Sequence, residues 1–251
     1  MSTPDRRWSR PIPGPRGPSS NEPAHHLGWA RVIRSNGATP RTENITLITA
    51  HCTVVAVDVE GFGRYSRNNI NQVRVRHGMY RAMQYAFNNA GIPWDSCYRE
   101  DRGDGVLMLA PAEVPKALFV ERLPDALVDA LRKHNKNHPA EERMRLKLAL
   151  HAGEINYDYH GVTGYAINHT FRLLDADVLE SALAKSSAIL AIIGSAWFFD
   201  EVIRQSEWSH AKSYRLADIA NKETTTHAWI RLLTGRPRAF PHRPSLQPST
   251  D

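Results

Sequence analysis

The stretch Val55-Ala-Val-Asp58-Val-Glu-Gly61-Phe-Gly63 decides the reading of this chain, because it puts one acid at the end of an apolar strand. Thr53 to Val59 is β-branched and stops at Gly61, which predicts a strand running into a turn. A carboxylate at Asp58 is costly to bury unless a cation, a metal or a helix N-terminus partners it. Downstream, Cys97 to Glu100 and Gly105 to Leu109 flank the polar tip Asp101–Asp104, the pattern of a hairpin. Asp104 therefore also stands where a turn meets an apolar strand. If the two strands are neighbours, both carboxylates reach one edge of the sheet. Magnesium and similar hard cations take oxygen ligands and only one or two carboxylates, leaving room for phosphate oxygens. Two metals so held activate one oxygen and stabilise another in an in-line displacement. On spacing alone, Asp58 and Asp104 read equally well as turn and cap residues.

The remaining core alternates strands and helices. Ile70, Val73, Tyr80, Met83 and Phe87 recur at helical spacing and stop near Ala90-Gly91, with Pro93 beyond. Leu127 and Leu131 mark a helix over Leu123–Asn135. Met144 to Leu150 alternates apolar and polar residues, the mark of a half-buried strand. One helix is predicted over Gly164–Lys185, a buried strand over Ser187–Ile193, a helix over Ala196–Gln205 and a last strand over Ala228–Leu233. With no glycine-rich phosphate loop, an α/β or α+β sandwich follows. Within it, Asn168 and Arg172 lie four apart and share one helix face. An amide and a guanidinium so placed can hold a ribose and a phosphate. The plain alternative is an N-cap and a solvated arginine.

Composition bounds the rest. The chain has 251 residues, is 41% hydrophobic and carries a formal charge of +6. Residues 1–45 hold +4 of that charge and 236–251 hold +2, so 46–235 is neutral. A neutral core is not the footprint of a nucleic-acid binder. Eleven of the sixteen prolines fall in those two end segments, which therefore read as disordered tails around one domain over 46–235. There is no apolar run of bilayer length and no secretory h-region, so a cytoplasmic protein is expected. Cys52 and Cys97 read as buried free thiols. His151 and His169 read as structural histidines, and Trp197, Phe198 and Phe199 as packing residues. His25 and His26, adjacent but without a third ligand, carry little weight as a metal site.

Taken together, VAVDVEGFG, RGDGVLML and GYAINHTFRLLDA, with Lys222 before AWIRLL, resemble the class III adenylate/guanylate cyclase catalytic domain. The likeness runs from about Val54 to Leu233 and implies a ferredoxin-like palm. It implies that Asp58 and Asp104, helped by the backbone carbonyl of Val59, hold two magnesium or manganese ions. It implies that Asn168 orients the ribose, that Arg172 meets charge on the reacting phosphate, and that Lys222 touches the outer phosphates. Glu223 follows Lys222 where the family commonly has glycine. Family members pair head to tail and complete each site across the interface, so a homodimer is implied. Glu100 stands where adenylate-making members carry lysine, and guanylate-making members often carry glutamate. Its partner position is Gly161, where the family offers a side chain. ATP is thereby disfavoured, leaving GTP or a pyrimidine triphosphate. Small bacterial relatives that make cyclic CMP or cyclic UMP in antiphage defence resemble this layout, with a separate effector reading the product. The alternative is a cyclase-like module that binds a nucleotide or a protein without turnover.

Overall fold

The computed structural model describes residues 48–221 and 224–235. The two predicted tails and Lys222 lie outside the described residues. Helices α1 (Asn69–Ala90), α2 (Leu118–Glu121) and α3 (Leu123–Lys136) pack on one face of an eight-stranded sheet. Helices α4 (Tyr165–Leu174) and α5 (Asp177–Ala184) cover the other. The strands are β1 (Ile48–Val59), β2 (Tyr98–Asp101), β3 (Gly105–Pro111), β4 (Leu146–Asp158), β5 (Gly161–Thr163), β6 (Ala188–Ser195), β7 (Arg215–Asn221) and β8 (Thr224–Thr234). Their order is β2-β3-β1-β4-β6-β8-β7, with β5 paired to β4. Among the described residues only β4 and β6 pair in parallel. The first four strands of that order, with α1 and α3 as crossovers, form the expected ferredoxin-like palm.

Period-two alternation explains how one strand serves two layers. Val55, Val57 and Val59 of β1 join the core under α1 and α3. Cys52, Val54 and Ala56 join the cores on the α4 side. Asp58 continues that second set, so its side chain leaves the sheet on the α4 side. Cys52 and Cys97 are buried free thiols, as expected. Helix α1 opens with a reciprocal capping box between Asn68 and Asn71 and ends on Gly91 in the left-handed conformation.

The sheet is wider than the periodicity predicts. β7 is an edge strand in which only Ile219 is buried, so its apolar alternation is almost absent. The single helix expected over Gly164–Lys185 is two helices. Ala176 is extended (φ −71°, ψ 128°) and breaks the hydrogen-bond ladder, while Leu174, Ala176 and Leu179 still fill one core. The run Ala196–Gln205 forms one short helix, α6 (Ala196–Phe198), continuing into a π turn over Phe199–Ile203. Phe198 and Phe199 are buried there, Phe199 stacks on Trp229 at 3.8 Å, and Trp197 stays 44% exposed.

One buried cation holds the loop after β1. Arg67 is 4% exposed and donates to the carbonyls of Glu141 (2.9 Å), Gly61 (2.9 Å) and Arg143 (2.6 Å). It ties the turn that follows Asp58 to the loop before β4. Arg67→Met leaves the Glu141 and Arg143 carbonyls without this donor, while Gly61 keeps Arg64, and we expect it to cost about 2–4 kcal/mol of stability. A urea melt showing no shift in midpoint would contradict this account.

Candidate active site

The two acids named from the sequence meet through the backbone. Asp58 pairs with Gly105 across β1 and β3, and the Val59 N–H donates to the Asp104 carbonyl at 3.0 Å. This register demands glycine at 105: a Cβ there would come within 2.2 Å of the Val57 carbonyl oxygen. Asp104 is therefore held beside the end of β1 by main-chain contacts. Its carboxylate is exposed and lines an open cleft of about 590 Å³ with Phe62, Asn69, Gln72, Arg76 and Arg102.

The hairpin tip that carries Asp104 is itself clamped. Asp101 Oδ1 accepts the Gly103 N–H at 2.7 Å, and Gly103 takes the left-handed φ of +85° this turn requires. Asp101 Oδ2 accepts from Tyr80 Oη at 2.8 Å and pairs with Arg76, both on α1.

Asp58 has a partner that the sequence reading missed. Lys147, on β4 directly opposite in register, places Nζ 2.9 Å from Asp58 Oδ2. Both side chains are largely buried. Burial raises the Asp58 carboxyl above the usual carboxylate range, the Lys147 bond opposes this, and the carboxylates of Asp104 and Asp175 add to the rise. Burial pulls the Lys147 ammonium down, and the bond to Asp58 more than restores it. Lys147 falls with Arg145 on the polar side of the alternating strand Met144–Leu150, so the alternation alone did not mark it as buried.

Whether metals fit this site is a matter of donor type. The carboxylates of Asp58 and Asp104 and the carbonyl of Val59 are all oxygens, the set a hard divalent cation takes. The Val59 carbonyl already accepts one weak bond, from Phe62 N–H at 3.2 Å, and retains a second lone pair. Lys147 Nζ takes Asp58 Oδ2, so a metal at Asp58 would share that carboxylate with a buried ammonium. Among the described residues no group of three or more His, Cys, Asp or Glu side chains forms a closed metal cage. By donor type the Asp58, Asp104 and Val59 oxygens would suit magnesium or manganese held by few protein ligands.

Glu100 and Gly161, far apart in the chain, are brought together around Tyr98. Glu100 Oε2 accepts from Tyr98 Oη at 3.1 Å and Oε1 accepts from Arg102 Nη1 at 2.8 Å. A Cβ on Gly161 would lie 3.7 Å from Tyr98 Oη, in ordinary contact. The Arg102 guanidinium also lies over the Phe171 ring of α4, 4.8 Å from its centroid. Burial, then the neighbouring Glu100 carboxylate, pushes the Tyr98 phenol up to about 12, so it is a neutral donor at ordinary pH.

Asn168 and Arg172 sit on α4, Asn168 exposed and Arg172 half-buried. The Arg172 carbonyl accepts from Asn221 Nδ2 at 3.0 Å, so the end of β7 is tied to the same helix. Lys222, the next residue, lies outside the described residues. On the inner side of α4, His151 Nδ1 lies 2.8 Å from Ser195 Oγ, and the His151 and His169 rings meet edge to face at 4.9 Å. His169 is on the buried side of α4 and His151, on β4, packs against it. Burial, helped by His169 and His51, lowers His151 to about 4.

That shift has a consequence for acid stability. The ordinary histidine value is near 6.5, above the folded value, so the unfolded chain gains a proton first as pH falls. The stability from a neutral His151 is complete above pH 6.5 and is lost between there and about pH 4. The loss is about 3 kcal/mol. We expect His151→Gln to flatten this acid limb in urea melts run from pH 7 to 4. An unchanged slope would remove His151 as its source.

Solved structures show the same architecture. The chain is similar to the guanylyl cyclase Cya2, with 17% identity over 73% of this chain and 91% of that one, at a TM-score of 0.51. It is similar to an adenylate/guanylate cyclase/hydrolase from Silicibacter pomeroyi, with 18% identity over 74% and 98% of the two chains, at 0.51. It is also similar to a bacterial light-regulated adenylyl cyclase, with 14% identity over 74% of this chain and 53% of that one, at 0.53. No protein-family model and no curated protein matches the sequence. The fold is therefore that of nucleotide-cyclase catalytic domains. Among the described residues, no helix is long and apolar enough to cross a membrane.

Proposed function

We propose that this chain is a class III nucleotidyl cyclase that converts a nucleoside triphosphate to a 3′,5′-cyclic nucleotide and pyrophosphate. The observation that carries the reading is the meeting of Asp58 and Asp104 at adjacent strand ends, on a fold shared with adenylyl and guanylyl cyclases. In the reaction the 3′-oxygen attacks the α-phosphorus, the bond to the β-phosphate oxygen breaks, and the hydroxyl proton passes to solvent. Two divalent cations on Asp58, Asp104 and the Val59 carbonyl would supply the lowered pKa of the 3′-hydroxyl and the neutralised leaving group.

The other roles belong to this chain's own side chains. Asn168 orients the ribose. Arg172 meets charge that develops on the α-phosphate, and Lys222 contacts the outer phosphates. Lys147, buried against Asp58, adds a fixed cation beside the polyphosphate. The acids lie on β1 and the β2–β3 hairpin while the amide and guanidinium lie on α4, so a head-to-tail homodimer would bring one set from each protomer. Glu100 disfavours adenine, whose N1 offers no proton to a carboxylate. The product would act as a signal for a separate effector.

A nucleotide-binding module without turnover is the second reading, favoured by the ion pair that already neutralises Asp58. Mass spectrometry of products from ATP, GTP, CTP and UTP in manganese separates the two. A cyclic nucleotide and pyrophosphate are expected. Binding of nucleotide with no pyrophosphate from any of the four would establish the second reading.

A further inference from the structure

Gly161 supplies no side chain to the base subsite, and both oxygens of Glu100 already hold hydrogen bonds. The phenol of Tyr98 stands against Gly161 and is fixed from several sides. Its ring meets Tyr157 edge to face at 6.3 Å, and Tyr157 Oη lies 3.3 Å from Cys52 Sγ. Arg102, which secures Glu100, is itself held over Phe171. Because Tyr98 spends its only proton on Glu100, its oxygen is left as an acceptor. Glu100 Oε2 keeps a second lone pair. Two acceptors, 3.1 Å apart, are thus presented side by side.

We propose that Tyr98 is the second base-reading residue of this chain, taking the place of the missing side chain at 161, and that with Glu100 it selects guanine. The inference rests on the cyclase reading of the site and names its substrate. Guanine alone among the four bases offers two adjacent donors on its pairing edge, N1–H and the N2 amine. Adenine sets its N6 amine beside the acceptor N1, and cytosine sets its N4 amine beside the acceptor N3. Uracil has one N–H between two carbonyls. Each of these three would leave an acceptor of the pair facing another acceptor. A site built to bond a donor discriminates strongly against bases that lack it.

The test uses the full chain, wild type and Tyr98→Phe, with two readouts. The first is product formation from an equimolar mixture of the four triphosphates in manganese. The second is equilibrium binding of the four 3′-deoxy triphosphates, which cannot cyclise. Cyclic GMP and tightest binding of 3′-deoxy-GTP are expected for wild type. Phenylalanine keeps the ring and its packing, so the fold is expected to survive. It removes one acceptor and frees Glu100 from its donor, so guanine binding and turnover should fall roughly tenfold. The other three bases should change about twofold or less. A wild type that prefers another base, or a Tyr98→Phe chain with unchanged guanine preference, overturns the proposal while leaving cyclase activity intact. If no triphosphate is turned over, the cyclase reading fails, and the 3′-deoxy binding data alone decide whether Tyr98 selects guanine.

Discussion

Asp104→Ala is expected to lower cyclic-nucleotide formation by roughly 10²–10³-fold or more while leaving the fold unchanged. The two halves of that expectation come from different features. The Asp104 side chain is exposed, so its removal should alter stability by no more than about 0.5 kcal/mol. Its main chain holds the register: the carbonyl accepts from Val59 N–H and the next residue pairs with Asp58. Alanine keeps those contacts. What it removes is the one carboxylate that lines the cleft, the group proposed to hold a divalent cation together with Asp58. The paired measurements are turnover across a manganese titration and a urea melt. Wild-type turnover in the variant would withdraw Asp104 as a metal ligand. A large loss of stability would show instead that its side chain props the hairpin.

Arg172→Ala should show the opposite signature from a binding residue. A guanidinium that meets charge only in the transition state should lower kcat by roughly 10²–10³ and leave KM nearly unchanged. Because Arg172 and Asp104 are placed on different elements, a head-to-tail dimer makes a sharper forecast. Each single variant homodimer has two crippled sites. Mixed dimers of Asp104→Ala and Arg172→Ala have one intact site and one doubly damaged site. Random exchange makes half the dimers mixed, so the mixture should recover about a quarter of wild-type activity. Additive, unrecovered activity after subunit exchange would place both residues in a site made by one chain. Equal losses in KM and kcat for Arg172→Ala would assign the arginine to ground-state binding.

The candidate site was legible in the sequence wherever its chemistry coincides with a strand end or a turn. Asp58 and Asp104 stand out because an acid where an apolar strand meets a turn requires a reason. Asn168 and Arg172 stand out because helical spacing aligns them. Lys147 and Tyr98 did not, for a common reason. Each looks like an ordinary polar member of a half-buried strand, and only tertiary pairing sets Lys147 against Asp58 and Tyr98 beside Gly161 of β5. The edge strand β7 and the break at Ala176 were hidden for a related reason: burial there depends on what packs nearby and not on local periodicity.

By itself the sequence determined the alternation of strands and helices, the end of β1 at Gly61 and the identity of the acids. These follow from side-chain spacing along one element, which is fixed by backbone geometry. Tertiary structure alone decided which acid meets a lysine, which residue stands beside Gly161, and that Asp104 opens onto a cleft. Such facts depend on the order and register of strands joined by long connections. No local propensity encodes them, because they are set by how the whole sheet closes over its two cores.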